Sequence, residues 1–105
     1  MAAINLNEKE FNDNIQAGKV MLVDYWAPWC GYCRRIGPAY EKVAQEQGNR
    51  LIVAKLNIDE APLVAAAEQI EVIPTLVLYR DGKAIASMVA PESKAAIDAF
   101  LQENL

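Results

Sequence analysis

The chain contains two cysteines, Cys30 and Cys33, at a point where an apolar strand pattern gives way to a helical one. Thiols at positions i and i+3 across a helix start can close into a disulfide and reopen. The amino end of a helix also favours the thiolate, which is the reactive form of cysteine. The spacing and placement of this pair therefore indicate thiol–disulfide exchange.

Two structural interpretations compete with redox chemistry at this pair. A disulfide that closes so short a ring removes little chain entropy, so it would be a poor staple for the fold. A structural zinc site normally needs four Cys or His ligands, and the sequence contains no histidine. One molecule cannot complete such a site, although two molecules sharing a metal or an iron–sulfur cluster could. We favour redox chemistry and expect neither metal nor cofactor in this chain.

The two thiols are expected to have different roles. Cys30, in the first helical turn, would have free backbone amides near its sulfur and act as the exposed nucleophile. Cys33, one turn deeper, would resolve the mixed disulfide. Gly31 would let the chain turn tightly. Trp29 could present a flat surface to a partner or pack as an ordinary half-buried side chain, and the two interpretations are compatible.

Asp24 is the second unusual residue, because it lies inside the apolar run 20–27, where an ionised carboxylate is costly. Lys55 occupies the equivalent place in the next strand pattern. If the strands are neighbours, the two side chains could form an ion pair or share a water. Burial would raise the pKa of Asp24 and Lys55 would lower it. A carboxyl group poised near neutrality could accept the Cys33 proton, or the pair could be purely structural.

Hydropathy patterns predict the element order β-α-β-α-β-α-β-β-α within one domain. Parallel crossovers followed by an antiparallel hairpin indicate a mixed sheet with helices on both faces. Asn7 and Glu10 predict a capping box, Asp81-Gly82 predicts a hairpin, and Ser93 is expected to cap the last helix. The predicted strands are 2–6, 20–27, 51–58, 75–79 and 83–89; the first three helices are expected to end near Gly18, Gly48 and Ile70.

Composition restricts the class of partner. The chain has 105 residues, a hydrophobic content of 53% and a net charge of −4, which fit one small domain with a packed core. The acidic balance argues against nucleic acid and against an anionic membrane surface. The first eight residues have no basic region or apolar core of a signal peptide, and no run approaches a membrane span. We therefore expect a cytoplasmic protein.

Residues 23–31 (VDYWAPWCG) and 53–59 (VAKLNID), with Ile73-Pro74-Thr75, resemble the thioredoxin family, and the resemblance covers nearly the whole chain. It implies an α/β thioredoxin fold across a single domain, 1–105, in which a central mixed five-stranded sheet is flanked by four helices. It also implies that Cys30 attacks a target disulfide, that Cys33 resolves, and that Asp24 assists the buried thiol.

The resemblance bears on the bond before Pro74 as well. Base rates alone favour a trans bond there, whereas the resemblance implies a cis bond facing the cysteines, with the preceding backbone pairing with substrate as an added strand. Catalysis would involve Cys30, Cys33, Asp24 and Lys55; target binding would involve Trp29, Gly31, Tyr32, Ile73, Pro74 and Ala90. The implied partners of this monomer are disulfide-containing proteins and a flavin-dependent or ferredoxin-linked thioredoxin reductase.

Three residues depart from the family pattern. Tyr32 replaces the usual proline and restores a backbone N–H near the Cys30 sulfur, which would stabilise the thiolate and make the protein less reducing. Ala90-Pro91 stands where the family commonly has a glycine in the loop facing the active site, so the target groove would be narrower or stiffer. Val72 stands where small residues are common.

Other functions are compatible with the same fold. Tyr32 would favour a disulfide oxidase or isomerase if it raised the potential far enough. A glutaredoxin-like protein would be recycled by glutathione alone. A non-catalytic binding subunit with this fold would keep its function when Cys30 and Cys33 are replaced by serine. A general protein-disulfide reductase that carries electrons and maintains cell redox homeostasis is the function that the resemblance implies.

Overall fold

The computed structural model describes residues 2–105, so Met1 of the expected domain 1–105 lies outside the described residues. The predicted order of elements is confirmed, with five strands and four helices. They are β1 (Ile4–Asn5), α1 (Glu8–Gln16), β2 (Met21–Trp26), α2 (Gly31–Gln47), β3 (Ile52–Asn57), α3 (Pro62–Ala67), β4 (Thr75–Arg80), β5 (Lys83–Val89) and α4 (Lys94–Asn104).

The five strands form one mixed sheet in the order β1-β3-β2-β4-β5. Strand β3 runs parallel to both β1 and β2, whereas β4 is antiparallel to β2 and to β5. The parallel register places Asp24 directly opposite Lys55. The expected neighbourhood of these two residues is therefore confirmed.

Helices cover the sheet on both faces. Successive side chains of a strand point to opposite faces, so β2 contributes Leu22 to the core under α2 and α4 and Val23 to the core under α1 and α3. Residues 21–25 of β2 are all buried. The nearly continuous apolar run of this strand is thus explained by burial on both faces of the sheet, as the sequence indicates.

Most helix boundaries follow their sequence signals. The Asn7 side chain accepts from the Glu10 N–H and the Glu10 carboxylate accepts from the Asn7 N–H, which completes the capping box. Ser93 accepts from the Ala96 N–H at the start of α4. The prediction that α3 reaches Ile70 is wrong, because the helix ends at Ala67 and Gln69 adopts a left-handed backbone with φ 59°.

The hairpin between β4 and β5 turns at Asp81-Gly82, as predicted. Both residues have positive φ, 54° and 78°, which matches the right-handed twist of paired strands. No helix formed by residues 2–105 has the length and apolar character needed to cross a membrane.

Replacing Gly82 by alanine should lower the free energy of unfolding by at least about 1 kcal/mol, because L side chains disfavour this backbone. The added Cβ would also lie 3.2 Å from the Ile15 carbonyl oxygen. Urea unfolding followed by tryptophan fluorescence measures the change. Gly37→Ala is the matched control, since a Cβ there meets no atom within 4 Å; equal losses in both variants would contradict the argument.

Candidate active site

The two cysteines lie at the amino end of α2 and form a disulfide. Cys30 is the N-cap residue, its N–H donates to the Ala27 carbonyl at 3.1 Å, and its sulfur accepts from the Cys33 N–H at 3.2 Å. Cys30 is half-buried, whereas Cys33 is 4% exposed. A free helix-end amide therefore points at the more accessible sulfur, as the sequence predicts, and this environment favours a thiolate.

The loop before β4 lies beside the disulfide. The Cys30 sulfur is 4.0 Å from the Ile73 carbonyl oxygen, and the Ile73–Pro74 bond is cis. The prediction of a trans bond from base rates is therefore wrong here, and the cis bond implied by the family resemblance is confirmed. Val72 is exposed, and its carbonyl accepts from the Thr75 hydroxyl at 2.6 Å. Ile73 is half-buried, and among residues 2–105 no acceptor is found for its N–H.

The connection between β5 and α4 completes this side of the site. The Ala90 N–H donates to the Pro74 carbonyl at 2.9 Å, and Ala90 has φ 46°, in the region that favours glycine. The Tyr32 hydroxyl donates to the Pro91 carbonyl at 2.9 Å. The Arg35 guanidinium lies 5.8 Å from the centre of the Tyr32 ring. Three loops that are distant in sequence therefore meet around Cys30.

Trp29 is 66% exposed, and its indole N–H donates to the Asp59 carboxylate at 2.8 Å. This position favours the interpretation of a flat partner surface over ordinary half-buried packing. Sequence reasoning missed Asp59 as a site residue. Its position just after β3 places Asp59 at the same edge of the sheet as the end of β2, because the carboxyl ends of parallel strands lie together, but that position does not specify the hydrogen bond to Trp29.

The reason expected for glycine at position 31 is wrong. Gly31 is the first residue of α2, and its φ is not in the left-handed region. A Cβ there would meet only the Arg34 guanidinium, at 4.0 Å. The turn does not require the conformational freedom of glycine; its missing side chain instead leaves the surface beside Cys30 open.

Asp24 is 1% exposed and lies on the face of β2 that α2 covers. Its Oδ1 atom has no hydrogen-bond partner within the part of the chain that the structure describes. Burial raises the pKa of Asp24 to about 7, and the charge of Lys55 partly opposes that shift. The carboxyl group therefore titrates near neutrality, as the sequence predicts.

Of the two contacts considered for Asp24 and Lys55, the direct ion pair does not form among the described residues, although the two residues are opposite in register. The Lys55 ammonium instead lies 4.2 Å from the centre of the Trp26 ring. A cation over an indole face is a favourable contact, and it keeps Lys55 near Asp24 without neutralising it by direct contact.

Tyr40 anchors α2 to the strands below. Its buried hydroxyl lies 2.6 Å from the Ala54 carbonyl oxygen and 3.2 Å from that of Leu22. Burial raises the pKa of Tyr40 well above its usual value, and the nearby Asp24 charge adds to the shift. No signal in the sequence indicates that the Tyr40 hydroxyl bridges β2 and β3.

Comparison with known proteins gives a consistent result. The thioredoxin family model matches residues 2–103. The chain belongs to the thioredoxin family. A thioredoxin of Acidithiobacillus ferridurans is 46% identical over 93 residues, which cover 89% of this chain and 86% of that protein. A thioredoxin of Staphylococcus saprophyticus is 36% identical over the full length of both proteins.

Structural comparison supports the same membership. A solved structure of a mutant thioredoxin from Halobacterium salinarum aligns with a TM-score of 0.86 and 28% sequence identity, covering 98% of this chain and 90% of that one. The thioredoxin fold and its redox cysteine pair make this chain a thiol–disulfide oxidoreductase with protein-disulfide reductase activity. Within residues 2–105, no group of three or more Cys, Asp or Glu side chains could hold a metal ion.

The buried carboxyl of Asp24 should make this thioredoxin-family protein less stable as pH rises. In the unfolded chain Asp24 ionises near its ordinary pKa of 3.8, whereas the folded protein retains the proton until about pH 7. The contribution of the neutral carboxyl group to the free energy of unfolding is therefore complete below the unfolded pKa, declines between the two pKa values, and is lost above the folded pKa.

Between about pH 5.5 and pH 8.5, this loss amounts to about 2 kcal/mol. We expect Asp24→Asn to remove that part of the pH dependence, since the amide does not titrate. Urea unfolding of both proteins at the two pH values isolates the Asp24 contribution, because all other groups are shared. Identical pH dependence in the two proteins would show that Asp24 is ionised throughout.

Proposed function

We propose that the chain reduces disulfides in target proteins through Cys30 and Cys33, with Cys30 as the attacking thiolate. The observation that carries this proposal is the Cys30–Cys33 disulfide at the amino end of α2, where the Cys30 sulfur accepts a backbone N–H. The difference in exposure supports the division of roles, because a target reaches the half-buried Cys30 more easily than the buried Cys33.

The reaction balances as two successive exchanges. The Cys30 thiolate attacks one sulfur of the target disulfide, forms a mixed disulfide and releases the other target sulfur as a thiolate. The Cys33 thiolate then attacks the Cys30 sulfur, forms the internal disulfide and releases the second target thiolate. Two electrons pass from the dithiol to the target, which leaves with two thiols once its sulfurs are protonated.

Asp24 is proposed to accept the proton of Cys33 in the second exchange. Its pKa of about 7 suits a group that must both take and return a proton near neutral pH. Both residues belong to the side of the sheet that α2 covers, which supports this role. Lys55 is proposed to act on Asp24 through its charge, since it lies opposite in the neighbouring strand.

Target binding is proposed at the surface around Cys30, where an extended segment would pair with the backbone before β4. The Ile73 N–H has no acceptor among residues 2–105, so it is available for such pairing. Residues beside it, most of them exposed or half-buried, would contact the target. The residues assigned to this surface are Trp29, Gly31, Tyr32, Ile73, Pro74 and Ala90.

A thioredoxin reductase, flavin-dependent or ferredoxin-linked, is the proposed partner that returns the disulfide to the dithiol. Support comes from a Mycobacterium leprae protein named bifunctional thioredoxin reductase/thioredoxin, which is 41% identical over 87 residues, or 83% of this chain and 19% of that protein. We propose that the chain acts as a monomeric domain, 1–105, in the cytoplasm, away from membranes and nucleic acid; the net charge of −4 supports the last two points.

Trapping the mixed disulfide tests the division of roles. Cys33→Ser should accumulate a covalent adduct with a disulfide-containing protein such as insulin, because no thiol remains to resolve it. Cys30→Ser should form no adduct, since the exposed nucleophile is absent. Non-reducing electrophoresis and intact mass measure both variants. Adducts of equal yield through either cysteine would contradict the assignment, and the double serine variant is the control.

The redox potential is proposed to be less reducing than that of a Gly-Pro thioredoxin. In the disulfide form, the donor to the Cys30 sulfur is the Cys33 N–H, and the Tyr32 N–H makes no bond to it among the described residues. The expected stabilisation by the Tyr32 N–H therefore acts in the reduced form, where the free Cys30 thiolate can accept from this second amide. An extra donor lowers the free energy of the reduced form.

Tyr32→Pro removes that amide and should make the potential more negative by about 30 mV, which corresponds to about 1.4 kcal/mol for a two-electron couple. Equilibration in dithiothreitol or glutathione buffers, read by tryptophan fluorescence, gives both potentials. A wild-type value equal to or below that of Tyr32→Pro would refute the proposal. A value far above it would favour a disulfide oxidase or isomerase instead of a general reductant.

A further inference from the structure

The Tyr32 side chain is held at both its ring and its hydroxyl. The hydroxyl donates to the Pro91 carbonyl at 2.9 Å, and the Arg35 guanidinium lies 5.8 Å from the ring centre, within the range of a cation–π contact. Pro91 is buried, whereas Tyr32 is half-buried. The phenol therefore spans from the turn that carries the cysteines to the connection between β5 and α4.

The residue next to this contact is Ala90, whose backbone is in a conformation that residues with a Cβ rarely adopt, at φ 46°. Such a backbone persists only where its surroundings hold it. Two hydrogen bonds do so here. The Ala90 N–H donates to the Pro74 carbonyl at 2.9 Å, and the next residue, Pro91, accepts from Tyr32.

We propose that Tyr32 is a specificity-determining positioning residue, whose hydroxyl ties the active-site turn to Pro91 and thereby fixes Ala90 as a rigid wall of the target groove. The inference rests on the proposed reduction of protein disulfides. A wall that is already ordered adds no ordering cost when a target binds, so targets that fit the groove bind more tightly.

The hydrogen bond between Tyr32 and Pro91 should affect the binding of protein targets more than the binding of small disulfides. A protein target that pairs with the backbone at Ile73 lies next to Pro74, and Ala90 is hydrogen-bonded to Pro74. A small aromatic disulfide needs only to reach the Cys30 sulfur. Loss of the Tyr32 hydroxyl therefore affects the KM for protein disulfides first.

Tyr32→Phe tests the proposal, because it retains the ring and the backbone N–H and removes only the hydroxyl. We expect the KM for insulin, with dithiothreitol as the recycling reductant, to rise by about threefold or more. The kcat/KM for 5,5′-dithiobis(2-nitrobenzoate) should fall by a clearly smaller factor. Hydrogen exchange at the Ala90 amide should accelerate, since the loop that holds its bond to Pro74 is released.

Ser93→Ala is the matched control, because it removes the cap of α4 two residues beyond Pro91 and leaves the Tyr32 hydroxyl in place. Its ratio of insulin to small-disulfide activity should equal that of the wild type. An equal change for both substrates in Tyr32→Phe, wild-type exchange at Ala90, or the same ratio change in Ser93→Ala would overturn the inference. Failure of the wild type to reduce either substrate would instead refute the proposed function.

Discussion

The pairing of β2 with β3 on one side and β4 on the other is the constraint on which the site depends. Because β2 and β3 are parallel, the two strands end at the same edge of the sheet, and the segments that follow them bring Trp29 next to Asp59. Strand β4 is antiparallel to β2, and β5 is antiparallel to β4. Pro74, just before β4, and Ala90, just after β5, therefore lie at that edge too. Helix α2 starts there, and the cysteine pair lies where all these loops meet.

Burial of β2 on both faces also sets the chemistry of Asp24. The strand is stabilised by apolar contacts on each side, and a carboxyl group in the same environment loses most of its hydration. A direct ion pair with Lys55 would have lowered the pKa of Asp24 towards its ordinary value, but the Lys55 ammonium lies over the Trp26 ring. The protein thus keeps a carboxyl group whose pKa is about 7, at the expense of stability above neutral pH.

Hydrogen bonds connect the loops around the disulfide to one another. Trp29 is tied to Asp59, Ala90 to Pro74, and Tyr32 to the neighbouring loop by single hydrogen bonds. Apolar packing also anchors these segments, since Ile58 and Ile73 pack against the core under α1 and α3 and Pro91 is buried. The hydrogen bonds add directional contacts that fix how the loops lie relative to one another. A surface that must receive different target chains gains from this arrangement, because each contact can be tuned without disturbing the sheet.

Local sequence signals were enough to predict the element order, the cysteine chemistry and the buried carboxyl. These features depend on the apolar run of β2, the Asn7 and Ser93 caps and the Asp81-Gly82 turn, whose physics acts over a few residues. The end of α3 was misplaced, because the left-handed backbone at Gln69 has no comparable local signal.

Contacts between distant groups, by contrast, could be learned only from the folded chain. The Asp59 contact with Trp29, the stacking of Lys55 on Trp26 and the bridging hydroxyl of Tyr40 each join residues from different elements. The same holds for the Tyr32 bond across to the loop before α4. Side-chain contacts of this kind depend on strand register and helix placement together, and neither is encoded in the spacing of any one segment.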